Sequence, residues 1–419
     1  MKRKQTIKQF TLFVFSLIII SLSICDLVIE HNAAELKGVN DDYWHYTTPE
    51  SQGMDSTLLN SMIDQIHLKD YAIDSVIIIR NGYLIFEVYP NSYYNKDSLH
   101  FLYSCTKSVT SALIGIAIQE GFIDSITQKV IDFFPDRKIQ NLDSRKKNMT
   151  LEHLLTMSAG IEWDEWTYWY WDPRNDFYQA IESTNMVQFI LDRPMMNEPG
   201  TKWIYNSGAS HLLSAIIQKT TGMSTLAFAN KYLFEPLGVS TVNWGHDSLG
   251  VYFGGYDLYM RPRDVAKFGY LFLNNGTWDD KQIFSINWAT QSSKIAFYPN
   301  DNSAYGFQWW IHPSKAYYYA SGLFAQRIII VPDYDLVVVF TAEIRSGSDP
   351  EIEMLNKYIL AAVKENITVP GSHTTEYSST SNLFKTTTIH HSSSPGFEII
   401  VFITGLISLL LLLNKKQFS

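Results

Sequence analysis

Ser104-Cys105-Thr106-Lys107 sets a hydroxyl and an amine three residues apart, so on a helix both lie on one face and the amine reaches the hydroxyl. Serine attacks a carbonyl poorly until a base takes its proton. A lysine whose pKa is lowered by burial supplies that base. The head of a helix adds free backbone N–H groups beside a developing oxyanion. The same spacing recurs at Ser144-Arg145-Lys146-Lys147, inside the charged stretch DSRKKN, with no apolar helix after it. Ser104 instead opens the most apolar helix of the body, which runs to about Gln119 and stops at Gly121. A lysine at the head of a buried helix is costly without a partner or a task. Ser104 and Lys107 are therefore the expected catalytic pair, and a dyad that merely caps a helix is the alternative.

A phenol is the second element. Glu198-Pro-Gly-Thr-Lys-Trp-Ile-Tyr205-Asn206-Ser207 leads into the apolar run SHLLSAIIQKTTG and contains a Y-x-N/S motif, Tyr205-Asn206-Ser207. Tyr89-Pro90-Asn91, Tyr93-Tyr94-Asn95 and Tyr377-Ser378-Ser379 satisfy the same pattern, but only Tyr205 sits about a hundred residues after the S-x-x-K in a loop that leads into an apolar helix. The bland reading has Tyr205 packed under the loop with Ser207 as a helix N-cap. An aromatic stretch, Trp163-Asp-Glu-Trp-Thr-Tyr-Trp-Tyr-Trp171, echoed by Trp309-Trp310, either walls a substrate cleft or serves packing. Asp164 and Glu165 within it are candidates to receive an amine or amide group.

The elements that must position these groups are legible in outline. Residues 75–89 give two strand-like runs around Asn81-Gly82, a hairpin signal. The stretch from about 125 to 275 holds amphipathic pieces such as LEHLLTM and MVQFILD between Gly, Pro and Asn, and reads as helical. YGFQWWIH, AYYYASG, QRIIIVP and LVVVFTAE then follow as antiparallel strands, and 350–365 closes as a helix. This order predicts an α+β fold: an antiparallel β-sheet flanked by helices, carrying an inserted, mainly helical domain.

The composition, 46% hydrophobic and 18% charged, suits a globular body. A net charge of −9, with no basic cluster outside the termini, leaves no electrostatic footprint for nucleic acid. Two cysteines, Cys25 and Cys105, exclude a disulfide framework, and the eleven histidines form no HExxH, so neither a metal nor another cofactor is expected. Residues 1–25 combine Lys2, Arg3, Lys4 and Lys8 with an apolar run, the pattern of a signal peptide or amino-terminal anchor. Residues 366–394 form a Ser/Thr-rich stalk, and 395–416 a second apolar run closed by Lys415 and Lys416. Both ends predict a cell-membrane protein with its body, 45–365, extracytoplasmic. Sequons at Asn148, Asn275 and Asn366 agree with a surface protein.

Two resemblances add to this reading. FLYSCTKSVTSALIG, LEHLLTMSAGIEWDE, EPGTKWIYNSG, LFEPLG and YGFQWW together resemble the serine β-lactamase and penicillin-binding-protein superfamily, in its class C-like branch of esterases and 6-aminohexanoate-oligomer hydrolases, over roughly 45–365. The resemblance implies an acyl-enzyme on Ser104, base and acid work shared by Lys107 and Tyr205, and Ser207 hydrogen-bonded in that network. The family's K-T-G or H-T-G strand falls at Ala320-Ser321-Gly322, with the N–H of Leu323 joining that of Ser104 as the oxyanion hole. Ala320 lacks the cation or imidazole used near a substrate carboxylate, which tilts the expected substrate toward a small-molecule or peptide-like ester or amide. D-amino-acid peptidase, β-lactamase and a catalytically silent ligand-binding protein remain alternatives. Pro395-Gly396-Phe397 in its context resembles the archaeal PGF-type carboxy-terminal sorting signal, which implies a sorting peptidase as a partner.

Overall fold

The computed structural model describes residues 43–345 and 349–364. The runs expected to be signal, stalk and sorting segment lie outside the described residues, as do Cys25 and Asn366. No helix among the described residues is long and apolar enough to cross a membrane.

Asn81 and Gly82 take φ values of 50° and 80°, the left-handed pair that a tight hairpin requires. Ile73–Arg80 (β2) therefore folds back on Tyr83–Val88 (β3), and a short strand before them, His45–Tyr46 (β1), completes that edge. All eight residues of β2 are buried because helices cover both faces of the sheet. Ile77 and Ile79 face one core, Val76 and Ile78 the other. The late strands are Phe297–Asn300 (β4), Ser303–Tyr305 (β5), Trp310–Ile311 (β6), Tyr318–Gly322 (β7), Gln326–Val331 (β8) and Leu336–Ala342 (β9). They make one nine-stranded sheet in the order β1-β3-β2-β9-β8-β7-β6-β5-β4. Every pairing is antiparallel except β1 with β3. β1 and β3 are joined through a helix and β2, and such a crossover allows parallel alignment.

Ser56–Leu68 (α1) buries Leu59, Met62 and Ile66 on the face that also receives Leu355 and Ile359 of the closing helix. Thr106–Gln119 (α2) is buried on all sides from Thr106 to Ala117. Its hydroxyls are accommodated by hydrogen bonds: Ser108 donates to the Gln308 carbonyl at 2.7 Å, Thr110 to that of Gly254 at 2.8 Å and Ser111 to that of Phe307 at 2.8 Å, while Thr106 accepts from the Leu258 amide at 3.3 Å. Ser207–Thr221 (α3) packs beside α2 within the helical layer. That layer, expected over about 125–275, also holds a small sheet of His100–Phe101, Leu258–Met260 and Val242–Trp244. Pro262–Leu273 (α4), near its end, lies on the large sheet against β9, β8 and β2. A Cβ at Gly269 of α4 would stand 2.7 Å from Val337 Cγ1, so the missing side chain sets how closely helix and sheet approach.

The rival S-x-x-K falls on a short helix, Ser144–Asn148, where Ser144 and Lys147 are exposed. The buried cation there is Lys146, whose Nζ donates to the carbonyls of Gln140, Leu191 and Arg193 at 3.0, 2.7 and 2.7 Å. This tie joins two segments of the helical layer. Lys146→Met takes the donor from three carbonyls, of which that of Leu191 is fully buried, and should cost about 1–3 kcal/mol in urea unfolding. Lys147→Ala should change stability by no more than about 0.5 kcal/mol.

Candidate active site

Ser104 does not begin the α-helix as the spacing alone predicts. Tyr103–Cys105 form a 3₁₀ turn and α2 starts at Thr106. The reason lies one residue earlier, where Tyr103 is held at φ 46°, a conformation that costs a non-glycine residue energy and collects at functional sites. Ring packing holds it there: Tyr103 stacks on Phe101 at 3.8 Å and meets the edge of Phe324 at 5.3 Å. The turn leaves Ser104 half-buried, while Lys107, one helical turn on, is only 2% exposed.

Lys107 Nζ donates to Ser104 Oγ at 3.0 Å and to the Gly255 carbonyl at 2.8 Å, and it stands 4.8 Å above the Tyr205 ring. Burial pushes the amine down to about 8, against the opposing pull of the Glu165 carboxylate. The Tyr205 hydroxyl shares a hydrogen bond with Ser104, yet burial, reinforced by Glu165, raises the phenol well above its ordinary value. At neutral pH the centre therefore pairs an amine poised to lose its proton with a phenol that keeps its own. The structure thus brings Ser104, Lys107 and Tyr205 together from two elements a hundred residues apart in the chain.

Ser207 has a different partner from the one the resemblance implies. Its amide and hydroxyl donate to Glu165 at 2.7 and 2.8 Å, and the N-cap of α3 is Asn206. Glu165, 2% exposed, also accepts from Trp163 Nε1 at 2.7 Å and from the Tyr170 hydroxyl at 3.3 Å. It is thus sealed beneath the cleft and cannot receive an amine from a substrate. Asp164 is likewise occupied, accepting from the amides of Trp166 and Thr167. Glu165 does not serve the role suggested by its place in the aromatic stretch, and Asp164, although exposed, does not line the cleft.

The chain from Ala320 to Leu323 runs where the family pattern puts the third element. Ser321, Gly322 and Leu323 line the cleft, whereas Ala320, 1% exposed, faces the core. A Cβ on Gly322 would lie 2.3 Å from the Leu102 carbonyl, so glycine alone lets β7 pass this close to the turn bearing Ser104. Arg327, the cross-strand neighbour of Ser321, also lines the cleft. Its guanidinium is committed to Glu351 at 2.7 Å, Asp349 at 3.4 Å and the Gly322 and Gln326 carbonyls.

The cleft holds about 720 Å³ and reaches Ser104, Tyr205 and Ser207. Of the aromatic stretch, Trp166, Trp169, Tyr170 and Trp171 line it, while Trp163 is buried. Of the second pair Trp310 lines it, whereas Trp309 is core. Trp166 and Trp310 stack on Tyr205 at 5.3 and 6.1 Å. Two contributors escape sequence reasoning. Glu165 organises the floor, and Gly255 offers its carbonyl to Lys107 from a site where a Cβ would stand 3.1 Å from the Ser207 carbonyl and 3.4 Å from Lys107 Nζ. The doublet Gly254-Gly255 was the one local hint of that approach.

A family profile described as Beta-lactamase matches residues 68–364. The 6-aminohexanoate-dimer hydrolase of Paenarthrobacter ureafaciens is 22% identical over 312 residues, covering 68% of this chain and 75% of that protein. The lovastatin esterase of Penicillium rubens is 26% identical over 162 residues, which are 34% of this chain and only 39% of the esterase. Among solved structures, the octameric penicillin-binding protein homologue from Pyrococcus abyssi superposes with a TM-score of 0.60 at 19% identity, over 74% of this chain and 78% of that one, a likeness of fold. With the match spanning every strand of the large sheet but β1, the helical layer and every residue of the centre described above, the chain belongs to the β-lactamase family of serine hydrolase folds.

Proposed function

We propose that this protein cleaves an ester or amide bond through an acyl-enzyme on Ser104. One observation carries the reading: a buried amine of lowered pKa lies 3.0 Å from the hydroxyl of a half-buried serine that opens into the cleft. Ser104 Oγ attacks the carbonyl carbon as its proton passes to Lys107 Nζ. The amides of Ser104 and Leu323 receive the oxyanion. Collapse expels the alcohol or amine, protonated from the Lys107 and Tyr205 side, and water then attacks the acyl group by the reverse proton path. The high phenol pKa favours Tyr205 as donor and Lys107 as base.

Among the described residues, no unpaired cation lines the cleft to receive a substrate carboxylate, since Arg345 is paired with Glu343. Ala320 is apolar and turned to the core, and Arg327 is neutralised by its own carboxylates. This favours esters and amides over β-lactams. The basic and apolar termini support an extracytoplasmic, membrane-held placement.

A fluorophosphonate probe should label Ser104, and Ser104→Ala should lose both labelling and turnover of a p-nitrophenyl ester; an alanine variant that turns over normally refutes the proposal. Because Lys107 must be neutral to accept a proton, kcat/KM should climb with pH and level off above about 8. Glu165→Gln removes the carboxylate that holds the amine protonated, so the rise should move to lower pH. Gly322→Ala, forcing β7 off the Leu102 carbonyl, should reduce kcat on the order of 100-fold.

A further inference from the structure

The charges around the cleft are unevenly committed. Its two lining guanidiniums are already paired: Arg327 with Glu351 and Asp349, and Arg345 with Glu343 at 2.9 Å while lying 4.7 Å over the Phe324 ring. Among the described residues, two lining carboxylates have no cation. Asp257 leans on Gly245 and takes a hydrogen bond from Tyr259, and burial pushes its carboxyl above the ordinary value, so it is the weaker contributor. Glu182, at the last turn of the helix Asp176–Glu182, is exposed, and among the described residues no ion pair engages it.

The same wall is aromatic. Trp169 and Trp171, tilted against each other at 5.5 Å, remain 56% and 59% exposed at the cleft, with Tyr178 one turn before Glu182. Ring faces carry negative quadrupole potential and attract cations. A wall of indoles and phenols beside uncompensated carboxylates thus favours positive charge twice over, and repels an anion.

Resting on the acyl-enzyme reading above, we infer that the cleft selects esters or amides that carry an ammonium or quaternary ammonium group away from the reacting carbonyl, held by the Trp169–Trp171 wall and the field of Glu182. The bond broken is still the ester or amide bond, and the cation is a handle that takes no part in the step.

Isosteric pairs test this without prejudging which side bears the charge. On the acyl side, the p-nitrophenyl ester of 4-(trimethylammonio)butyrate is compared with that of 5,5-dimethylhexanoate. On the alcohol side, acetylcholine is compared with 3,3-dimethylbutyl acetate. In at least one pair kcat/KM should favour the cation on the order of tenfold, mostly through KM. That ratio should fall with added salt, in Glu182→Gln and in Trp169→Ala. A ratio within a pair is unmoved by a general loss of folding or acylation, so its fall reports recognition of the charge. Parity in both pairs, or preference for the neutral ester, with the neutral esters turned over, overturns the inference and leaves the hydrolase standing. If no ester is turned over, the hydrolase reading fails, and tetramethylammonium titration of tryptophan emission in Ser104→Ala decides the remainder: saturable quenching supports the cation site, and its absence overturns it.

Discussion

The centre depends on keeping one amine out of water. An ammonium at the head of a helix buried on all sides is unfavourable by several kcal/mol unless it is paired or partly relieved of its proton. Here Lys107 receives a carbonyl and a serine hydroxyl and faces a phenol ring, but the nearest carboxylate, Glu165, spends its hydrogen bonds on Trp163, Tyr170 and Ser207. The field of that carboxylate reaches the amine without a salt bridge forming. The result is an amine that releases its proton nearer neutrality than an ordinary lysine, yet is anchored enough to keep its geometry.

That balance is built from both layers of the fold. Ser104 and Lys107 stand at the start of α2, Tyr205 and the Glu165 floor belong to the helical layer, and Gly322 brings β7 of the sheet against the turn. The left-handed Tyr103 and the missing side chain at Gly322 are complementary. One aims the serine outward, the other lets the strand draw near, and residues of both segments line the same cleft.

What the sequence disclosed and what it concealed divide along physical lines. Ser104, Lys107 and Tyr205 were legible because short spacing and an apolar helix following each element are local signals. The Asn81-Gly82 hairpin and the buried β9 were legible for the same reason. The second partner of Lys107 was hidden, because Gly255 lies 148 residues away and contributes only a main-chain oxygen. Glu165 was visible as a residue but not as a buried one, since nothing in WDEW says which carboxylate turns inward. The start of α2 was misplaced by two residues because the turn at Tyr103 is imposed by stacking with Phe101 and Phe324, neither of which a helical pattern weighs.

The aromatic loop has fixed footings and free tips. Asn175 bonds the Glu165 and Tyr168 carbonyls, and Glu165 fastens the loop to the first residue of α3, whereas the rings of Trp166, Trp169 and Trp171 stand more than half exposed. Mutation at Trp169 or Trp171 can therefore reshape what the mouth of the cleft admits while Ser104, Lys107 and Tyr205 below keep their spacing, whereas Trp166 stacks on Tyr205 and is less free to change. In an evolving lineage, substrate range could drift through a handful of surface positions without passing through an inactive ancestor.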